Sequence, residues 1–537
     1  MAVDRRAFLG LLAATGGAAL VGCEAPAPRG GSALGGDALA ALLPAHRPVE
    51  FAKPDLPGVN GSVPGYLSYP AAPVRAVQGA VLSADVTAMT PSFWPPAPGL
   101  GQNSYYDAVN ERLGGAVRFE TVSGADYQAK LAALMAARQV PELTVVPTFT
   151  MPPRFSEGVG EVFRDLTDFL SGERVADYPM LANIPTDSWH ACVHNGRLHG
   201  VPYPGQLFPE VLFYRDDVFE QLGVEPPRSA EEFAAMAKRL NDPANNRWAL
   251  GDVFRSLVRA FGGRGDWVRD DSGKLLNQLE APWYAEAVRF TRSLYDAGCV
   301  HPDIVAGNWN RSNELFASRQ MVVNQGGMGA WAEQVAQQRP ADPGFRMTAL
   351  PLFAHDGGEP TYPVAAPTAM VAFVRKDVPD DRVRELLRLC DFAAAPIGTE
   401  EHRLLRYGVE GVHSARDERG NPALTPLGQK EITLTYGFAA GPPEAITTTD
   451  HPDLVRAQHA WYAREWGHQT KPLAFGLRVE EPPEFATLAK EFADRTADVL
   501  RGRAELSEVD GLGERWRKAG GDRLREFYDK ALRDAGR

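Results

Sequence analysis

Cysteine is scarce, with four in 537 residues, and that excludes a small scaffold stapled by disulfides. No run of 18 or more apolar residues occurs, so the pattern offers no helix that stays in a bilayer. A basic surplus is also missing. Lys+Arg is 56 against Asp+Glu 68, a formal net charge of −12, and a polyphosphate partner needs the opposite balance. The short signatures of several chemistries are absent: the Gly-x-Ser-x-Gly nucleophile elbow, the His-Glu-x-x-His metalloprotease helix and the Gly-x4-Gly-Lys-Ser/Thr phosphate loop. What is present is a hydrophobic fraction of 44%, with 23% charged and 9% aromatic residues. That composition supports a soluble chain with an ample core, long enough for two or more lobes.

The start carries an address. Arg5 and Arg6 form a charged region, and Ala7 to Val21 is an apolar stretch of 15 residues, too short to span as a mature helix. Paired arginines before Phe8-Leu9 resemble a twin-arginine export signal. Leu20-Val21-Gly22-Cys23 resembles a bacterial lipobox, which implies cleavage before Cys23 and lipidation of its thiol. Cleavage removes Asp4, Arg5 and Arg6, and several acyl chains on the new N-terminus hold a soluble body to a membrane surface. The remaining thiols are Cys192, Cys299 and Cys390. An odd number outside the cytoplasm leaves at least one unpaired. Cys390 shares a helical face with Val383, Leu386 and Leu387 and reads as a buried small hydrophobe.

From Glu24 to about Arg75 the chain is rich in Pro, Gly and Ala. Its first part reads as a flexible tether and its second as an extended surface strap. An α/β rhythm follows. Ala80–Val86, the alternating Val117, Phe119 and Thr121, Leu143–Val146, Val211–Tyr214 and Met321–Asn324 are expected strands. Asn103 or Ser104 caps a helix through Leu113, closed by Gly114-Gly115. Tyr127–Arg138 and Asp216–Leu222 are expected helices, and Ser229 with Glu232 forms a capping box. The last 55 residues read as helical. Alternating strands and helices predict largely parallel sheets covered on both faces.

His190, Cys192, His194 and His199 are zinc-type ligands, but Asn195-Gly196 makes a turn and no second pair follows, so they read as solvated loop residues. The aromatics are a better signal. Trp94 sits in the stiff loop Pro91-Ser92-Phe93-Trp94-Pro95-Pro96, Trp309 precedes a helix, and Trp331 follows Gly326-Gly327-Met328-Gly329-Ala330. Loops at the carboxyl ends of parallel strands line the crevice of open α/β sheets, and flat rings there stack on the apolar faces of sugars. The alternative for each Trp is core packing.

Asn195-Gly196-Arg197-Leu198-His199-Gly200-Val201-Pro202-Tyr203 is similar to the Asn-Gly-Lys-x-Tyr-Gly-Ile-Pro stretch of family 1 extracellular solute-binding proteins. Leu212 to Asp217, Leu222-Gly223, Pro226-Pro227, Ser229 to Phe233 and Phe316 to Met321 continue the resemblance, with Gly-x-x-Gly-Ala-Trp331 after a short strand. Lys53-Pro54-Asp55-Leu56-Pro57 and Trp516 to Asp522 with Glu526-Phe527-Tyr528 resemble the long lipoprotein subgroup. Arg197 and His199 replace the usual Lys and Tyr.

The resemblance implies a two-lobed, type II periplasmic-binding-protein-like α/β fold with a ligand cleft between the lobes. Its expected divisions are a signal peptide at 1–22 and a lipidated Cys23 with tether and strap to 75. Lobe one is expected at 76–204 plus about 347–440, and lobe two at 205–346 plus about 441–537. The implied function is a lipid-anchored extracytoplasmic monomer that delivers a sugar or oligosaccharide to an ABC permease, with no cofactor, no nucleic acid and no catalysis. Bound calcium stays open. The expected ligand contacts are Trp331 and Trp309 on lobe two, Trp94, Thr148 and Phe149 on lobe one, Tyr203 beside the first crossover, and Tyr436. A lipid-anchored carbohydrate-active enzyme, which also favours an aromatic cleft, is the alternative, and a peptide- or signal-binding subunit is a third reading.

Overall fold

The computed structural model describes residues 36–537 apart from 94, 95, 153, 310 and 478. The export signal, Cys23 and Trp94 therefore lie outside the described residues. The strands of the two principal sheets are, in chain order, β1 (Val86–Ser92), β2 (Val117–Ser123), β3 (Leu143–Pro147), β4 (Gly200–Pro204), β5 (Val211–Tyr214), β6 (Trp248–Leu250), β7 (Met321–Gly326), β8 (Thr348–Ala349) and β9 (Thr368–Val374). Sheet one has the order β2-β1-β3-β9-β4, and sheet two has the order β8-β5-β7-β6.

One strand in each sheet runs against the rest. In sheet one, β2 and β3 are parallel to β1, and β9 is antiparallel to both β3 and β4. In sheet two, β5 is antiparallel to β7 and β8, while β6 is parallel to β7. The two exceptions, β5 and β9, are the strands that enter a lobe directly from a crossover. They start at the edge where the others end, so their direction is reversed. β3 is buried at all five positions, as a strand covered on both faces must be.

The local signals act largely as expected. Asn103 is the N-cap of the helix Ser104–Leu113, accepting from the Tyr106 N–H, and Gly114 closes it at φ 86. Ser229 accepts from the Glu232 N–H. Glu232 does not complete the box: its carboxylate takes the Arg228 N–H and guanidinium instead. The expected strand at Ala80–Val86 is irregular, and pairing begins at Val86. There Val81 and Leu82 donate their N–H groups to the Leu113 carbonyl and act as a plug over the helix end.

Each sheet has its own apolar core. Lobe one packs Val86, Met89, Leu113, Leu131, Val145 and Phe373 together, with the helix Asp380–Ala393 behind them. That helix buries Val383, Leu386, Leu387 and Cys390. Lobe two packs Phe213, Phe233, Leu250, Met321 and Val323. Cys192 belongs to the first core and Cys299 to the second, and both are free thiols. The expected return to lobe one near residue 347 comes too early. Thr348–Ala349 pairs with β5, and Leu350, Phe353 and Tyr362 stay in the lobe-two core. The C-terminal helices form a third cluster, in which Phe485, Phe492 and Trp516 pack on Trp267, Tyr284 and Val288.

The Pro-rich strap touches both halves. Ala45 and Arg47 donate N–H groups to Gly172 and Ala182 on lobe one, whereas Val63 sits in the lobe-two core. The fully buried Glu401 carboxylate accepts the N–H groups of Ala76 and Val77 and pairs with Arg112 at 2.7 Å. A buried carboxylate is tolerated only with such partners, and this one fixes the end of the strap to lobe one.

Candidate functional site

Topology alone defines one shared edge. Tyr203 and Pro204 end β4 and lead into the first crossing; Thr368, opposite Pro204, begins β9 as the second crossing enters. Pro147 at the end of β3 pairs with Met370 on that same edge. In sheet two, Val211 starts β5 opposite Gly326 at the end of β7, and Leu250 ends β6 beside Val323. The residues following β1, β3, β6 and β7 therefore line a crevice whose floor is the crossovers.

The floor is a set of hydrogen-bonded crossing segments. Gly205 donates its N–H to Pro367 at 3.0 Å, and Val364 donates to Thr470 at 3.0 Å. A third crossing passes Gly441, where a Cβ would stand 2.7 Å from the Tyr203 ring. Tyr203 is half-buried there, edge-on to Phe438 with ring centroids 5.8 Å apart. Glu444 follows. Its Oε1 accepts from the Tyr462 hydroxyl at 2.6 Å, and the Gln206 side chain also bonds it. Burial is the main cause that pushes this carboxyl up to about 7.

Wall one is apolar. Thr148 opens the loop after β3, and its Oγ1 donates to the carbonyls of Thr368 and Ala369, both at 3.1 Å. That contact ties the loop to the incoming strand and leaves Phe149 70% exposed. The Phe93 ring, after β1, lies 6.0 Å from the Phe149 ring.

Wall two carries charge. Asp252 follows β6, and its backbone carbonyl accepts from Gln325 at the end of β7. Burial raises the Asp252 carboxyl above its ordinary range, against the Phe254 N–H and the cations Arg255 and Arg501. The Ser256 hydroxyl donates to Gln325 at 3.0 Å. Val300 pairs with Leu250 as a further parallel bridge, so the chain after it also leaves at this edge and reaches Trp309. Trp309 is 47% exposed, with the Arg501 guanidinium 4.9 Å from its ring centroid. Glu210, just before β5, holds Arg259 at 3.2 Å and Arg255 at 3.5 Å.

The structure thus brings Thr148, Phe149, Tyr203 and Trp309 to the crevice and takes two expected contacts away. Trp331 is fully buried in the lobe-two core, edge-on to Phe213, with its indole N–H donated to the Met347 carbonyl at 2.9 Å. Its ring has no face left for a ligand. Tyr436 is equally buried, packed edge-on to Phe119 at 5.0 Å with its hydroxyl on Asn110. Both are core residues for the same reason: each polar atom already has a partner and each ring an aromatic neighbour. The histidines near residue 195 are not solvated loop groups either. His194 and His199 are buried, and their Nδ1 atoms meet Ser156 and the Arg164 carbonyl respectively.

Sequence reasoning missed Asp252, Glu444 and Arg501. Asp252 follows Gly251 at a strand end, which is a usable signal; Arg501 is one arginine among many at a helix terminus. A Ser–His–Glu cluster elsewhere imitates a catalytic triad. Ser104 Oγ lies 2.7 Å from Glu431 and 2.9 Å from His413 Nε2. His413 Nδ1, however, accepts the Val409 N–H, so the ring proton sits on Nε2 and cannot be exchanged for that of Ser104. Glu431 also accepts the N–H groups of Ser104 and Tyr105 and so serves as a helix cap.

Comparison with known proteins agrees with this architecture. The polygalacturonan/rhamnogalacturonan-binding protein YtcQ of Bacillus subtilis (strain 168) is 20% identical over 432 residues, covering 77% of this chain and 85% of its own. Lipoprotein LipO of the same organism is 19% identical over 472 residues, covering 82% and 91%. An HMO-binding, ABC-transporter-associated solute-binding protein from Bifidobacterium longum infantis superposes with a TM-score of 0.62 at 12% identity, over 85% of this chain and 99% of that one. The two lobes with their crossover-fed strands have the type II solute-binding fold. The family model of bacterial extracellular solute-binding proteins matches residues 97–380. With more than half of its length inside that match and its sheets wound in that order, the chain belongs to the bacterial extracellular solute-binding proteins.

Proposed function

We propose that this protein captures a saccharide between its two lobes and hands it to an ABC permease, while a lipid on Cys23 keeps it at the outer face of the cell membrane. The observation that carries the reading is the pair of exposed aromatics, Phe149 and Trp309, on the two sheet edges that meet at the crossovers. Exposed rings of this size cost free energy in water unless a partner covers them. A sugar offers an apolar face to a ring and hydroxyls to neighbours such as Asp252, Gln325 and Tyr203. The names of the relatives, which bind polygalacturonan or rhamnogalacturonan and HMO, support a carbohydrate.

Closure follows from differential contact. The ligand touches both walls in the closed state and one wall in the open state, so its binding shifts the population toward closed. A scavenging receptor working near micromolar affinity needs about −8 kcal/mol. The Arg5-Arg6 pair and the lipobox before Cys23 support export by the twin-arginine route and acylation. LipO, a lipoprotein by name, is a relative over most of this length.

Calorimetry of the purified protein against a panel of neutral and acidic oligosaccharides tests the binding reading. Saturable one-to-one heat from at least one saccharide is expected, and its absence across the panel overturns the reading. Fractionation tests the anchor: Cys23→Ala should move the protein from the membrane pellet to the soluble fraction.

A further inference from the structure

Resting on that reading, we infer that the saccharide is acidic, and that Arg501 is the residue that selects its carboxylate. Arg501 caps the helix Leu488–Leu500. Its guanidinium lies over the exposed Trp309 ring at 4.9 Å, and it makes no hydrogen bond or ion pair among the described residues. Most of the arginines near it are already engaged. Arg292 donates to Val499 and Asp296, Arg503 to Asp498, and Arg259 to Glu210. Arg501 is left with a full fork of donors at the crevice edge.

The charge balance of this wall points the same way. Glu210 serves two guanidinia, Arg255 and Arg259. Arg255 is 73% exposed and reaches Glu210 only at 3.5 Å. Asp252 and Asp266 also feel Arg255, and Asp252 feels Arg501, while burial raises both carboxyls above their ordinary range. Arg255 and Arg501 thus both act on the Asp252 end of this wall.

Closing the lobes sharpens the consequence. A guanidinium drawn out of water needs hydrogen bonds and a countercharge, or closure loses much of its gain. A neutral sugar supplies hydroxyls and no charge. A uronic acid supplies a planar carboxylate that matches the guanidinium fork, while its pyranose face covers Trp309. The whole-chain charge of −12 does not forbid this, because charges beyond about 8 Å are largely screened at physiological salt.

The experiment uses a galacturonic acid trimer and the same trimer with its carboxyls reduced to neutral galactose, titrated against the full mature chain by calorimetry at low and high salt. The acidic trimer is expected to bind at least tenfold tighter, with the gap narrowing as salt rises. In Arg501→Met the acid-over-neutral ratio should fall at least fivefold, and in Arg501→Lys it should fall less. Thermal unfolding of each variant establishes that it is folded. Equal or tighter binding of the neutral trimer overturns the inference and leaves the saccharide reading standing. An unchanged ratio in folded Arg501→Met removes Arg501 from the role. Failure of both trimers and of every other saccharide to bind overturns both readings.

Discussion

The two walls of the crevice are built from different chemistry. Wall one presents Phe149 on a loop pinned by Thr148, with Phe93 beside it and half-buried Tyr203 on the adjoining floor. Wall two presents Trp309 among Asp252, Arg255, Arg501 and the Glu210–Arg259 pair. Apolar rings reward area and are indifferent to which sugar supplies it. Charged groups reward one partner and penalise another, because a desolvated charge left unmatched is costly. On the proposed reading, wall one contributes general affinity, and wall two decides which solute stays when the lobes close. The difference follows from what each lobe can anchor. The loop after β3 has neighbouring carbonyls to hold a hydroxyl, whereas wall two draws on helices from three parts of the chain.

That contrast can be broken at several points. The largest effect is expected from Trp331→Ala, which empties a core position of lobe two and should lower stability by about 3–5 kcal/mol, read from the urea midpoint. A loss of affinity at unchanged stability would instead return Trp331 to the crevice. Trp309→Ala should cost about 1–2 kcal/mol of ligand affinity, from lost stacking and a displaced Arg501, with little change in unfolding temperature. Phe149→Ala should cost about 0.5–1.5 kcal/mol for acidic and neutral saccharides alike, since a neutral ring contributes through its area and not through charge. Selective loss for one of them would erase the distinction between the walls.

Glu444 gives a pH-dependent test of the floor. Its carboxyl is raised from 4.5 to about 7, so between those values the folded state holds a proton that the unfolded state has released. The stability this group contributes is fully present below about pH 4.5 and is lost as pH rises through about 7. In Glu444→Gln the fall in unfolding temperature between pH 5 and 8 should be shallower than in the wild type. An identical pH slope would mean that Glu444 is solvated rather than held among the crossings. The smallest effect is expected from Lys471→Ala. It removes an exposed 2.8 Å ion pair with Asp187 that joins the segment after the third crossing to lobe one, and should change stability by no more than about 0.5 kcal/mol.

Much of the fold was legible because local rules and tertiary context agreed. Val211–Tyr214, Asp216–Leu222 and the Asn103 and Ser229 caps stand where apolar patterning and cap chemistry put them. The site was less legible. Trp309 precedes the helix Ser312–Ala317 and Trp331 lies in the first turn of the helix Met328–Gln338, each after a glycine-bearing loop. One is left at the edge and the other is pulled inward against Phe213. Tyr436 was misread for the same reason, since a tyrosine in a Thr-rich stretch looks exposed until Tyr105, Tyr106 and Phe119 close around it.

Residue order by itself determined the alternation of strands and helices, the caps and the family, all of which depend on neighbours a few positions apart. Tertiary structure decided which rings face the crevice, where lobe two ends, and that Asp252, Trp309 and Arg501 stand together. These three come from segments some 50 to 250 positions apart, and only the packing of helix ends against a strand edge sets their distances and the dielectric in which their charges act.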